Sequence, residues 1–136
     1  MKYLLDVNAL VALGFLQHEF HERVAAWVRT RASKGALELA TCSITELGFV
    51  RVLAQAPHYG FTVAHARTLL LRLKTGNSLK FTFITDDQDV SHLPAWVKTA
   101  KQTTDGHFVQ LAKAKGAILA TLDRSLAGAF LIPAQR

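Results

Sequence analysis

The sequence predicts a three-layer α/β/α domain built on a central, mostly parallel sheet, and three observations predict it. Short apolar segments of strand length alternate along the chain with longer amphipathic ones, the order that builds a parallel sheet covered by helices on both faces. The longer segments repeat apolar residues at intervals of three and four, and the short ones are bounded by Gly, Pro, Asn and Asp, so helix and strand are told apart by period and by punctuation. Isolated carboxylates follow strand ends or open helices. In an open parallel sheet those positions share one rim.

Residues 2–6, Lys-Tyr-Leu-Leu-Asp, read as a short buried strand ending on a carboxylate. Asn8 opens an apolar helical run over 9–16. A second helix covers 19–33, with Phe20, Val24, Trp27, Val28 and Ala32 on one stripe and Gly35 as its stop. A strand is expected over 38–41. Ser43 then suits an N-cap, and Ser43-Ile-Thr-Glu46 has the spacing of a capping box. The helix that follows turns Leu47, Val50, Leu53 and Ala54 inward and closes at Pro57 and Gly60. Thr62 starts another, whose stripe of Ala66, Leu69, Leu70 and Leu73 suits either a core or a contact between subunits. After the Gly76-Asn77-Ser78 loop, residues 80–85 alternate as a strand does. Residues 86–91 form a polar connection, and 93–97 a short helical turn broken by Pro94. Thr104 and Asp105 cap a helix that runs through Val109, Leu111 and Ala112 and stops at Gly116. Strands at 117–121 and 130–132 complete a single domain over 1–136, without repeats or linkers.

Composition narrows the class. The chain has 136 residues, 50% hydrophobic and 19% charged, which excludes a disordered protein. Its single cysteine, Cys42, lies among Leu39, Ala40 and Ile44 and reads as a buried thiol; one cysteine excludes an internal disulfide. The six histidines, His18, His21, His58, His65, His92 and His107, show no zinc spacing with it. Apolar runs fall well short of the ~20 residues a membrane helix needs, and Asp6 interrupts any signal-peptide core. A cytoplasmic protein without membrane contact is therefore expected. The formal charge of +6 suits a polyanionic partner such as nucleic acid.

The few acids are more informative than the many bases. Asp6 ends the first strand, Asp123 follows strand 117–121, and Glu46 and Asp105 stand in first helical turns. Each has an ordinary structural use. Asp6 suits a helix cap, Glu46 the return half of a capping box, Asp105 a helix dipole and Asp123 a turn. Directed together to one rim, four carboxylates repel, and a hard divalent cation such as Mg²⁺ resolves the conflict. A site of that kind acidifies water and stabilises an oxyanion during phosphodiester cleavage. The denser cluster Asp86, Asp87 and Asp89 has no Ca²⁺-loop pattern and reads as a solvated loop. Arg51, Arg124, Lys113 and Lys115 suit nucleic-acid phosphates or plain solvated faces. Trp27 and Trp96 read as packing residues, Trp96 with an option on base stacking. His107 is the histidine nearest the acidic rim, placed to meet substrate or solvent.

Four segments carry a family resemblance. They are Leu5-Asp6-Val7-Asn8-Ala9-Leu10, then Thr45-Glu46-Leu47 leading into Phe49-Val50-Arg51-Val52-Leu53, then Thr103-Thr104-Asp105-Gly106-His107 continuing to Leu111-Ala112, and last Gly116-Ala117 through Leu119-Ala120-Thr121-Leu122-Asp123-Arg124. In this order, across nearly the whole chain, the sequence resembles a PIN domain, and within that family the VapC-type ribonuclease toxins of toxin–antitoxin pairs. The resemblance implies a PIN-like fold, Mg²⁺ or Mn²⁺ binding, hydrolysis of RNA, homodimerisation and neutralisation by a small cognate antitoxin. It makes Asp6, Asp105 and Asp123 metal-site carboxylates, with Glu46 the fourth acid, acting directly or through water. Asn8 and Thr121 become supports for carboxylates or metal-associated waters. Gly106 is an oddity in a first helical turn, where it costs about 1 kcal/mol relative to Ala. The competing reading is a catalytically inert PIN-like RNA-binding module, which intact acids at all four positions argue against. An aspartate-nucleophile phosphatase wants a second Asp where this chain has Asn8, and a phosphoacceptor receiver wants paired acids near the first strand.

Overall fold

The computed structural model describes residues 1–134. Its elements run β1 (Lys2–Leu5), α1 (Val7–Gly14), α2 (His21–Ser33), β2 (Glu38–Cys42), α3 (Ser43–Gln55), α4 (Val63–Thr75), β3 (Phe81–Ile84), α5 (Thr103–Ala114), β4 (Ile118–Thr121) and β5 (Phe130–Leu131). The five strands form one sheet in the order β3-β2-β1-β4-β5, and every neighbouring pair is parallel. Central β1 sets the register: Tyr3 lies opposite Leu39 and Ile118, and Leu4 opposite Ala40 and Leu119.

The two-residue period of a strand divides its side chains between two cores. Tyr3, Leu5, Leu39 and Ala120 join Leu10, Val24, Trp27, Phe49, Leu53 and Leu70 from α1–α4 on one face. Leu4, Ala40, Cys42, Ile84 and Leu119 join Phe108, Leu111 and Ala112 of α5 on the other. This is the three-layer arrangement the alternation predicts. Trp27 packs edge-on to Tyr3 at a centroid distance of 5.0 Å, and Cys42 is fully buried.

Several local expectations need correction. Strand β1 stops at Leu5, and Asp6 is the N-cap of α1, so the helix begins at Val7 ahead of Asn8. Cys42, not Ser43, caps α3. The Thr45 hydroxyl, not Glu46, reaches back to accept the Cys42 N–H at 2.9 Å. With the helix starting one residue early, Thr45, Gly48, Phe49 and Leu53 turn inward, and Leu47 stays exposed. Residues 93–97 form a β-turn closed by the Val97 N–H on the Pro94 carbonyl at 3.1 Å, while the short 3₁₀ turns fall on either side, at Val90–His92 and Ala100–Gln102. Phe20 and Ala32 lie outside the buried stripe of α2, whereas the Leu69, Leu70 and Leu73 stripe of α4 packs into the core. Among the described residues no helix is long and apolar enough to cross a membrane.

Candidate active site

A parallel sheet puts the carboxyl ends of its strands on one edge, and a crevice opens there where successive connections leave in opposite directions. Here that point lies between β1 and β4. The Asp6 N–H donates to the Ala120 carbonyl at 3.1 Å and carries the ladder one residue past β1. The Asp6 side chain is buried at the crevice. Its Oδ1 accepts the Ala9 N–H at 2.9 Å, and its Oδ2 accepts the Thr121 hydroxyl at 2.5 Å. Thr121 in turn accepts the Asp123 N–H at 3.0 Å. One buried hydroxyl thus fixes Asp6 and the backbone of Asp123 together, across 115 residues of sequence in the first case. The Asp123 Oδ1 accepts both the N–H and the hydroxyl of Ser125, at 2.9 and 2.7 Å. Asp105 is the third residue of α5, half-buried, and among the described residues its carboxylate accepts no hydrogen bond.

The three aspartates feel one another. Burial pushes Asp6 above the usual carboxylate range; the Thr121 and Ala9 hydrogen bonds oppose this, and the charges of Asp105 and Asp123 reinforce it. Asp105 is also raised, by burial first and then by Asp123. Asp123 is lowered, because Ser125 stabilises its charged form and Lys101 stands near it. Glu46 lies at the same edge in the first turns of α3, yet it is engaged elsewhere. Its carboxylate pairs with the Lys74 ammonium and accepts the Thr41 hydroxyl at 2.6 Å, and it is not among the charges that act on Asp6.

Among the described residues, no three His, Cys, Asp or Glu side chains are close enough to hold one metal ion between them. The donor set nevertheless fits Mg²⁺ or Mn²⁺. Mg²⁺ takes one or two carboxylates directly and keeps several waters, through which further acids are reached. Two carboxylates held above their usual range by burial and like charge are groups that a cation would relieve.

Two clefts meet at Asp123. One, of about 440 Å³, contains Trp96, Lys101, Gln102 and Asp105. The other, of about 630 Å³, contains Asn8, His18, Phe20 and Tyr59. Asn8 is exposed in the first turn of α1 and borders this second cleft. His107 and Asp86 pair with each other at 2.5 Å, so Asp86 is less solvated than its neighbours; Asp87 meets Lys115, and Asp89 caps the turn at Ser91.

The family model for the PIN domain matches residues 3–129. The chain belongs to that family. Within it the chain is similar to two ribonucleases of Mycobacterium tuberculosis. It is 37% identical to ribonuclease VapC38 over 137 residues, covering 98% of this chain and 91% of the relative. To ribonuclease VapC44 it is 37% identical over 133 residues, covering 93% and 89%. Solved structures agree on the fold. VapC20 of M. tuberculosis, described as a sarcin-ricin loop cleaving toxin, superposes with a TM-score of 0.63 at 14% identity over 98% of this chain and 99% of that one. VapBC2 of Rickettsia felis, bound to a DNA fragment from its promoter, gives 0.55 at 14% identity over 96% and 97%.

For a PIN domain, four residues stand where sequence reading did not place them. Lys101 lies beside Asp123, Ser125 orients that carboxylate, Lys74 holds Glu46, and Phe20 borders the larger cleft. A Ser two residues after an Asp is a turn signal that the sequence does carry. The two lysines carry no such signal, since surface lysines look alike in sequence. Gly106 also acquires a reason: a Cβ there would lie 2.3 Å from Val97 Cγ2. The glycine lets the start of α5 pack tightly on the 93–97 turn.

Proposed function

We propose that the chain is a metal-dependent endoribonuclease of the VapC toxin type, neutralised by a cognate antitoxin. The carrying observation is the trio Asp6, Asp105 and Asp123, drawn from both ends of the chain to the β1/β4 crevice and mutually repelling there. Bound Mg²⁺ or Mn²⁺ would supply concentrated positive charge, which acidifies water and offsets the charge that builds on phosphate oxygens. One or two of Asp6, Asp105 and Asp123 would bind the ion directly, and the remaining acid of the trio and Glu46 would act on it through water. The rest falls to the chain's own groups. Thr121 and the Ala9 N–H hold the Asp6 carboxylate in one orientation, and Ser125 does the same for Asp123. The Asp105 carboxylate, which accepts no hydrogen bond among the described residues, keeps its oxygens open to the ion or its waters. Water adds to phosphorus and gives its proton to a carboxylate of the crevice, the bond from phosphorus to the departing ribose oxygen breaks, and that oxygen takes up a proton from solvent. Lys101 and Arg124 draw the RNA backbone to this edge.

The same reading makes the protein cytoplasmic and a homodimer. Support for a protein contact is a groove where Leu47, Leu71 and Phe83 lie 70, 52 and 46% exposed, and sedimentation of the purified chain tests it. For the activity, purified protein is expected to cleave RNA with Mg²⁺ or Mn²⁺ and to stop in EDTA. Asp6→Asn and Asp105→Asn should each lose at least about 100-fold in rate. Cleavage by both variants at the wild-type rate would overturn the assignment, and RNA binding without cleavage would favour the inert module. For the toxin role, induced expression should arrest growth, and co-expression of the cognate antitoxin should restore it.

A further inference from the structure

We propose that the cleft of about 630 Å³ beside Asp123 binds one unpaired nucleobase of the RNA, adjacent to the phosphate under attack. The inference rests on the nuclease reading and extends it to substrate recognition. Its volume lies within the range of small-ligand pockets, roughly 300–1,000 Å³. It shares Asp123 with the acidic trio and is bordered by Asn8, two residues beyond Asp6. Whatever fills it therefore lies next to the reacting group.

The lining selects the occupant. His18, Phe20, His58 and Tyr59 contribute rings, and Asn8 and Gln17 contribute amides, which both donate and accept hydrogen bonds. Among the described residues no Lys or Arg lines the cleft, whereas the carboxylates Glu19 and Asp123 do. A phosphate is repelled by such a wall. A flat, uncharged group that stacks on rings and hydrogen-bonds at its edge suits it, and in RNA that group is a base.

His18 is set for this task. Its Nδ1 accepts the Phe20 N–H at 3.0 Å, which places the ring proton on Nε2. Burial holds its pKa below the ordinary histidine value, so the ring is neutral and offers a single donor. The neighbouring rings are held in advance of any ligand. Phe20 lies 5.9 Å from His18 and 5.9 Å from the Arg23 guanidinium, itself fixed on the Ile132 carbonyl at 3.0 Å. Tyr59 packs edge-on to Phe15 at 4.8 Å. A base paired and stacked in a duplex has neither its faces nor its edge free, so the cleft requires single-stranded or looped RNA.

Binding of single-stranded RNA carrying 2-aminopurine at successive positions tests this, with full-length Asp105→Asn protein used to prevent cleavage. One position is expected to show quenching on binding. Phe20→Ala and His18→Ala are each expected to abolish that quenching and to weaken binding about tenfold, the scale of one lost base–aromatic stack. An abasic nucleotide at that position should cause the same loss in the parent protein and no further loss in Phe20→Ala. Because the abasic RNA alters no residue, this arm does not depend on how well a variant folds. Affinity unchanged within about twofold in both variants and with abasic RNA, judged against that stacking scale, would overturn the proposal and leave the cleft to a protein ligand. Equal affinity for a fully paired duplex would overturn it too. If the wild type cleaves RNA while these effects are absent, the base site fails and the nuclease reading stands. If the effects appear and the wild type never cleaves, the nuclease reading fails and the base site stands.

Discussion

Asp6 accepts one hydrogen bond from the helix it caps and another from the strand beside it, and both favour a charge that burial and two neighbouring aspartates oppose. Opposition wins, so the folded pKa lies above the unfolded one. Between those two values the folded protein holds a proton that the unfolded chain has released. Stability from this group is therefore greatest at low pH and falls as pH rises through the folded value; Asp105 acts in the same direction. In EDTA at about pH 7, Asp6→Asn should raise the melting temperature, although with Mg²⁺ present the same variant loses at least about 100-fold in cleavage rate. It should also flatten the stability gain seen on acidifying the wild type to about pH 5. Calorimetry reads both, and a lower melting temperature in the variant would contradict the account. Thr121→Val removes the donor to Asp6 and the acceptor for the Asp123 N–H at nearly constant volume. It should reduce cleavage about 10- to 100-fold and destabilise by about 1–3 kcal/mol, measured by single-turnover kinetics and urea unfolding. At this scale Asp6, Asp105 and Asp123 were legible because strand ends and helix starts announce themselves in sequence. Lys74, which engages Glu46 from 28 residues away, was not, because nothing local to either residue records the pairing.

Helix α5 presents Asp105 at its third position, and its start is pressed onto the 93–97 turn at Gly106. Gly→Ala inside a helix ordinarily gains about 1 kcal/mol. Here the added Cβ would meet Val97, a β-branched side chain that is stiff at χ1. Gly106→Ala should therefore destabilise, by about 1–3 kcal/mol as overpacking does, and Val97→Ala should relieve it in the double variant. Chemical denaturation of the four proteins checks this; additive effects would refute the contact. The alternation of strands and helices was readable because the apolar period changes from two to three or four at each boundary. The α3 cap was misplaced by one residue because Cys42, Ser43 and Thr45 all offer small polar groups, and only the length of β2 decides among them. Pro94 does bend the chain as its ring requires, but into a turn with the 3₁₀ segments beside it.

Across the whole molecule, positive charge exceeds negative by six while the acids of the crevice stay local. RNA binding should accordingly weaken with salt, by a log–log slope of about −0.7 for each single-strand phosphate neutralised. Arg124→Ala, at an exposed residue next to Asp123, should reduce the magnitude of that slope by about 0.7, measured by fluorescence anisotropy from low to high salt. The rim of acids was visible from sequence because parallel topology dictates it. The larger cleft was not, because residues near 8, 17–20, 58–59 and 122–123 meet only once the sheet has formed. The hydrogen bond from Thr121 to Asp6 carries one more consequence, in the order of events during folding. It joins the first strand to a strand 115 residues later, and contacts so distant in sequence pay their loop-closure entropy before they stabilise anything. β1 can pair with β2 early, but its other edge stays open until β4 arrives. A chain still being synthesised, or one cut short before β4, therefore has Asp6 without Asp123, and the proposed cutting centre comes into existence only as folding finishes.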